Sequence, residues 1–246
     1  MRNKVLIRQL ILVVLFEVLF ELLAINVLRG TGAYNNYLFL FLDKCLFLTL
    51  LIILNTKLTQ QKIPFSLKLN KEQRDFIIIL TVILIIVGLM NTKNFIVAFT
   101  IGVIAGVPEE YLFRGIVLVS LLHLFCHSKK YFIRILMPVI ISSILFGLEH
   151  FLNLYSQSFS LTMVQVCQTM AMGTLFASIF IRTKNLLFSI ICHFCIDFVI
   201  TTLWGIQNPT GVSFKSSFFI TILYLIIGFA ILTPTLVDSH LEKSSR

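Results

Sequence analysis

Two adjacent carboxylates and an arginine, Glu109, Glu110 and Arg114, lie inside a hydrophobic stretch running from about Phe95 to Phe125. Even on the mildest scale a charged side chain at the bilayer centre costs about 2.5–3.5 kcal/mol, and neighbouring carboxylates repel each other. Arg114 stands four residues beyond Glu110, one turn along the same helical face, where the two can pair. Glu109 is rotated by about 100° and has no such partner. One glutamate is therefore expected to be held by arginine and the other to be free for chemistry. The competing reading is a buried ion-pair cluster that only fixes helix packing.

Three further polar side chains occur in or at the edge of later apolar segments: His150, His193 and Asp197. His193 and Asp197 are four apart and share a face, and Phe146 stands one turn before His150. Hydrolysis of a peptide bond needs a base that deprotonates water, and Glu109 with His150 can supply it. It also needs a donor for the developing oxyanion, for which His193 is suited. Asp197 can hold His193 in one tautomer. Glu109, His150 and His193 could instead bind zinc as three ligands with an open water position. Composition and spacing do not separate the two versions.

The elements that must position these groups are membrane helices. The chain of 246 residues is 58% hydrophobic and 13% charged, against roughly 25% charged in soluble domains. Apolar runs near the ~20 residues needed to cross a bilayer recur throughout. The expected fold class is all-α, a polytopic membrane protein of about eight transmembrane helices. The expected spans are 9–28, 38–56, 76–91, a long stretch from 95, 135–150, 161–181, 185–204 and 218–237, with a polar tail at the end. Gly102 and Gly106 allow close helix approach, and Pro108 is placed to kink the fourth helix just before the carboxylates. The basic loops expected are 57–75 and 126–134.

The net charge of +9 reflects topology rather than a nucleic-acid partner. Of the 20 Lys and Arg residues, only Arg29, Lys93 and Lys215 fall in outer loops, Lys44 and Arg114 lie within spans, and the rest occupy inner segments. This bias places both termini in the cytoplasm. Glu21 and Lys44 then lie about 10 and 9 Å below the outer face, at ~1.5 Å per residue. Charges at matched depth leave lipid by pairing, so a Glu21–Lys44 pair is expected. The five cysteines are scattered through apolar runs and read as small hydrophobic residues, not as a disulfide frame.

Glu109-Glu110-x-x-x-Arg114, Phe146-x-x-x-His150 and His193-x-x-x-Asp197, in this order on successive membrane helices, resemble the CPBP intramembrane proteases. That family includes the eukaryotic Ras-converting CAAX endopeptidase and the bacterial Abi proteins. The resemblance runs from about 95 to 205. It implies that Glu109 and His150 activate water, that His193 and Asp197 form the oxyanion hole, and that Glu110, Arg114 and Phe146 support the site. The position of Asp197 is Asn in the eukaryotic enzymes, and an ionised aspartate cannot donate to an oxyanion. The organisation expected is three N-terminal membrane helices over 1–94, a catalytic helix core over 95–205, and a last helix with cytoplasmic tail over 206–246.

The function expected is an intramembrane endopeptidase acting on a membrane-associated or secreted peptide or protein. Its partners would be that substrate and membrane lipid, with no nucleic acid; the residues fix no cofactor and leave open a divalent metal such as zinc. The Lys-, Ile-, Phe- and Asn-rich composition points to a bacterial plasma membrane, with roles in bacteriocin self-immunity or maturation of secreted signalling peptides. A non-catalytic membrane immunity or regulatory protein on the same scaffold is the alternative. A proton-coupled transporter is a third class, for which no inverted repeat is evident.

Overall fold

The computed structural model describes residues 2–33, 36–205 and 214–244. Among these there is no strand, and eight helical segments are long and apolar enough to cross a membrane. Helices α1 (Arg2–Gly30), α2 (Tyr37–Leu54), α3 (Lys71–Met90) and α4 (Thr92–Glu110) come first. A π-helical segment, Tyr111–Leu118, joins α4 to α5 (Val119–Phe125) in one continuous rod. Helices α6 (Tyr131–Glu149), α7 (Phe159–Thr183), α8 (Leu186–Trp204) and α9 (Phe214–Ser244) complete the bundle.

The helices outrun several expected boundaries. Helix α1 begins at Arg2 rather than near residue 9, and α9 continues through the polar tail to Ser244. Hydropathy marks only the part of a helix that sits in lipid, whereas backbone hydrogen bonding continues into water wherever good helix formers follow. The basic loops are correspondingly shorter than 57–75 and 126–134. Helix α2 prolongs through a π turn to Thr59, α3 starts at Lys71 behind an Asn70–Gln73 capping box, and α6 starts at Tyr131. At the end of α8, Gly205 has φ +72° and its N–H bonds the Thr201 carbonyl. Pro209 and Gly211, between the expected spans 185–204 and 218–237, lie outside the described residues.

The segment between α2 and α3 is pinned into the bundle. Asn55 Oδ1 accepts from Thr59 Oγ1 at 2.7 Å and from the Gln61 amide at 3.0 Å. Asn185 brackets Ser66, accepting from its amide at 3.0 Å and donating to its carbonyl at 2.8 Å. The Leu186 amide donates to the Pro64 carbonyl at 2.8 Å. Ile63 meanwhile packs against both hydrophobic clusters of the core.

Close packing is most extensive for α4 against α8, α7 against α9 and α6 against α7. A Cβ added at Gly102 would lie 2.7 Å from the Phe194 ring, and one at Gly106 would lie 3.2 Å from the Phe194 backbone nitrogen. The small-residue pattern of α4 therefore does what its sequence implies. At Gly173 an added Cβ would lie 2.9 Å from Ser143 Cα, a backbone atom that cannot swing away. Gly173→Ala should thus destabilise by about 1–3 kcal/mol, as overpacking does. Gly30→Ala, which meets nothing within 4 Å, should stay within about 0.5 kcal/mol. Thermal unfolding of the two variants in detergent checks this; equal midpoints would refute the close approach of α6 and α7.

Candidate active site

Pro108 has no N–H to give the helix, and the π-helical segment follows three residues later. The Phe113 carbonyl within that segment accepts from Ser142 Oγ of α6 at 2.9 Å. The backbone irregularity is thereby satisfied by protein, as the membrane interior requires.

Glu110 and Arg114 form an ion pair of 3.0 Å with both side chains 0% exposed. The guanidinium also donates from Nη2 to the Gly173 carbonyl at 3.2 Å. It lies over the rings of Phe146 and Phe176, at 4.4 and 5.2 Å from their centroids. Arg114 is thus placed by groups from α4, α6 and α7, and its charge meets a carboxylate, a carbonyl and two π faces.

The same oxygen of Glu110, Oε1, accepts from His193 Nδ1–H at 3.0 Å. Phe176 stacks on the His193 ring with centroids 4.8 Å apart and planes at 20°. With Nδ1 engaged and the ring clamped, Nε2 is the face left for chemistry. It points to Asp197 Oδ2 at 3.4 Å and Glu109 Oε2 at 3.9 Å. Glu110 holds Nδ1, a position the sequence left to Asp197, and Asp197 instead sits beside Nε2.

His150 closes α6. Its Nδ1 lies 3.0 Å from the Phe146 carbonyl, which can only accept, so the proton sits on Nδ1 and Nε2 carries a lone pair. The Phe146 ring is edge-on to His150 at 5.3 Å and to His193 at 5.8 Å. One aromatic side chain therefore separates and aligns the two imidazoles. Glu109, Phe146, His150, His193 and Asp197 all line a single cavity of about 410 Å³. Glu110 and Arg114 lie buried behind this wall, the division of labour that helical spacing suggests.

The expected Glu21–Lys44 pair is present, with Lys44 Nζ 2.6 Å from Glu21 Oε1. Two neighbours escaped sequence reasoning. Glu17 of α1 stands near Glu149 of α6 and interacts with it electrostatically. Lys44 interacts electrostatically with Glu109 and Glu149 as well as with Glu21. The i, i+4 spacing of Glu17 and Glu21 was the available signal, since it puts both on one face of α1.

Glu109, His150 and His193 share the cavity, but among the described residues no three His, Cys, Asp or Glu side chains are arranged to hold a metal ion. As placed, the three do not fit the tetrahedral ligand set of zinc.

Over residues 76–199 the sequence matches the family model of the type II CAAX prenyl endopeptidase Rce1-like proteins. The chain belongs to that family. The matched region contains all three motifs that line or support the cavity, and α1 and α2 lie outside it. No curated protein and no solved structure matches the chain. Family and fold together describe a multi-pass membrane endopeptidase of the CAAX-protease type.

Arg114→Ala leaves Glu110 buried without its counter-charge and should destabilise by about 3–5 kcal/mol. Arg114→Lys keeps the charge, loses the planar contact with both rings, and should fall between that variant and the wild type. Folded fraction after detergent extraction measures both; a stable Arg114→Ala protein would sink the account. For the second pair, Glu21→Lys or Lys44→Glu alone should lower folded yield, and the double reversal should restore it. Recovery no better than either single reversal would mean the pair is not a stabilising contact.

Proposed function

We propose that Glu109 and His150 activate water for hydrolysis of a peptide bond, and that His193 stabilises the oxyanion. The observation carrying this reading is that Glu109, His150, His193 and Asp197 line one cavity. The Glu109 carboxylate and the His150 Nε2 lone pair take a proton from water as its oxygen bonds to the scissile carbonyl carbon. The carbonyl oxygen gains negative charge and accepts from His193 Nε2–H, whose ring is steadied by Nδ1–H donating to Glu110. Collapse breaks the C–N bond, and the proton held by Glu109 or His150 passes to the leaving amine. Asp197, 3.4 Å from Nε2, holds a proton on that nitrogen before the carbonyl arrives. Arg114 and Phe146 are positioning residues.

The substrate class is a membrane-associated or secreted polypeptide of a bacterium, and the chain resides in the plasma membrane. The composition supports this setting, as does a catalytic core built wholly within apolar spans. Bacteriocin self-immunity and maturation of secreted signalling peptides are the processes that fit. The organisation proposed is a catalytic core over 95–205 buttressed by the three N-terminal helices, and a last unit over 206–246 whose helix α9 packs against α7.

Glu109→Gln should reduce cleavage by about 10²- to 10⁴-fold, the usual worth of a positioned base. Terminus-selective mass spectrometry on secreted and membrane peptides, comparing wild type with Glu109→Gln at equal expression, reads out substrate and scissile bond together. Identical pools would instead indicate a binding or immunity protein on a protease scaffold. Asp197→Asn keeps an acceptor beside Nε2 and should retain more activity than Asp197→Ala. The reverse order would remove Asp197 from both of its roles.

A further inference from the structure

The catalytic cavity has a direction. On α4 its wall descends from Ile101 through Ala105 to Glu109 and includes nothing beyond. On α8 it starts at His193 and rises one turn at a time through Asp197 and Thr201 to Gly205, at the helix end. On α7 it runs from Leu161, near the helix start, to Met172 and stops. Gln157, in the turn before α7, completes the rim. Every stripe therefore runs from the catalytic floor to the same end of the bundle.

The opposite end is closed to this cavity: a separate pocket of about 430 Å³ there, lined by Ile63, Val107, Tyr111 and Ile190 among others, shares no lining residue with it. There the segment between α2 and α3 is strapped across the ends of α7 and α8 by the Asn185–Ser66 and Leu186–Pro64 hydrogen bonds. Ile63 fills the space above Gly115, where an added Cβ would lie 2.9 Å from its side chain. The closed end carries the basic segments, including Lys62, Lys68, Lys129, Arg182 and Lys184, while the open end has Arg29, Lys93 and Lys215. Such asymmetry orients the closed end toward the cytoplasm.

Resting on the catalytic reading above, we infer that substrate reaches Glu109 from the non-cytoplasmic face, and that it is an uncharged, extended segment of an exported polypeptide. Beyond Asp197 the wall carries no charged side chain. Its polar groups are the amides of Gln157, Gln165 and Gln168 and the hydroxyls of Thr169 and Thr201. Amides and hydroxyls can pair with the backbone of an extended chain, and the apolar wall between them disfavours a charged side chain that would lose its water. A polypeptide tail approaching from the cytoplasm meets the strapped end.

Access can be measured without turnover. Ala105→Cys, deep in the cavity, and Gln157→Cys, at the rim, are made in full-length chain whose five native cysteines are replaced. Each is treated with a charged, membrane-impermeant methanethiosulfonate in intact spheroplasts and in sealed inverted vesicles. Thiol modification follows aqueous exposure, so both positions should react at least roughly tenfold faster in spheroplasts. The rim variant lies in a turn and reports orientation even where Ala105→Cys folds poorly. Faster reaction in inverted vesicles, or no reaction of the folded Ala105→Cys protein from either side, overturns the inference. Cleavage by the wild type, measured alongside the labelling, separates the two readings. Outer labelling with cleavage-dead wild type would sink catalysis and leave the direction of access standing. Cleavage with inner labelling would do the reverse.

Discussion

A buried carboxylate and guanidinium in hydrocarbon are stable only if their remaining hydrogen-bonding capacity is also met, because desolvation of two ions can exceed their mutual attraction. The Glu110–Arg114 pair meets this condition in part, by recruiting neighbours from three other helices, while Glu110 Oε2 and Arg114 Nε keep no hydrogen-bond partner among the described residues. Gly173 of α7 offers a carbonyl, Phe146 of α6 and Phe176 of α7 offer ring faces, and His193 of α8 donates Nδ1–H to the same glutamate oxygen. The requirement to satisfy one ion pair thus fixes the relative positions of four segments. It also fixes which nitrogen of His193 faces the cavity, so the stability of the pair and the readiness of the site have a common origin.

Such convergence needs backbones that approach closely, and the sequence supplies small residues at the crossings. Gly102 and Gly106 admit Phe194, and Gly173 admits the backbone at Ser143. The π-helical segment after Pro108 contributes in a different way. It alters the helical rotation between Glu109 and the buried residues Phe113 to Leu118, and its Phe113 carbonyl is recovered by Ser142. The two adjacent glutamates precede this segment and face different ways through the ~100° step of α4 itself, one toward the cavity and one toward the core.

The N-terminal helices are more than hydrophobic filler. The Lys44–Glu21 pair joins α1 to α2, Glu17 stands near Glu149 at the helix end that presents His150, and the Lys44 charge is felt at Glu109. A cation beside a functional carboxylate in low dielectric acts at longer range than it would in water. These two helices lie outside the matched family region, yet they shape the electrostatics of the matched part.

The sequence by itself determined what depends on helical period and on membrane depth. Eight spans follow from apolar length, the Glu110–Arg114 pair from a spacing of four, and the Glu21–Lys44 pair from equal depth on adjacent helices. The three motifs marked the residues that line or support the cavity. Tertiary structure alone decided what depends on how helices rotate and cross. That Glu110 holds Nδ1 of His193 while Asp197 faces Nε2 requires the crossing of α4 with α8. Glu17 comes near Glu149, and the strap at Ser66 meets Asn185, across 132 and 119 residues of chain respectively. The direction of the cavity is likewise the sum of three stripes on three helices. No local pattern encodes such relations, because each arises where surfaces distant in the chain are pressed together by the burial of charge and apolar area.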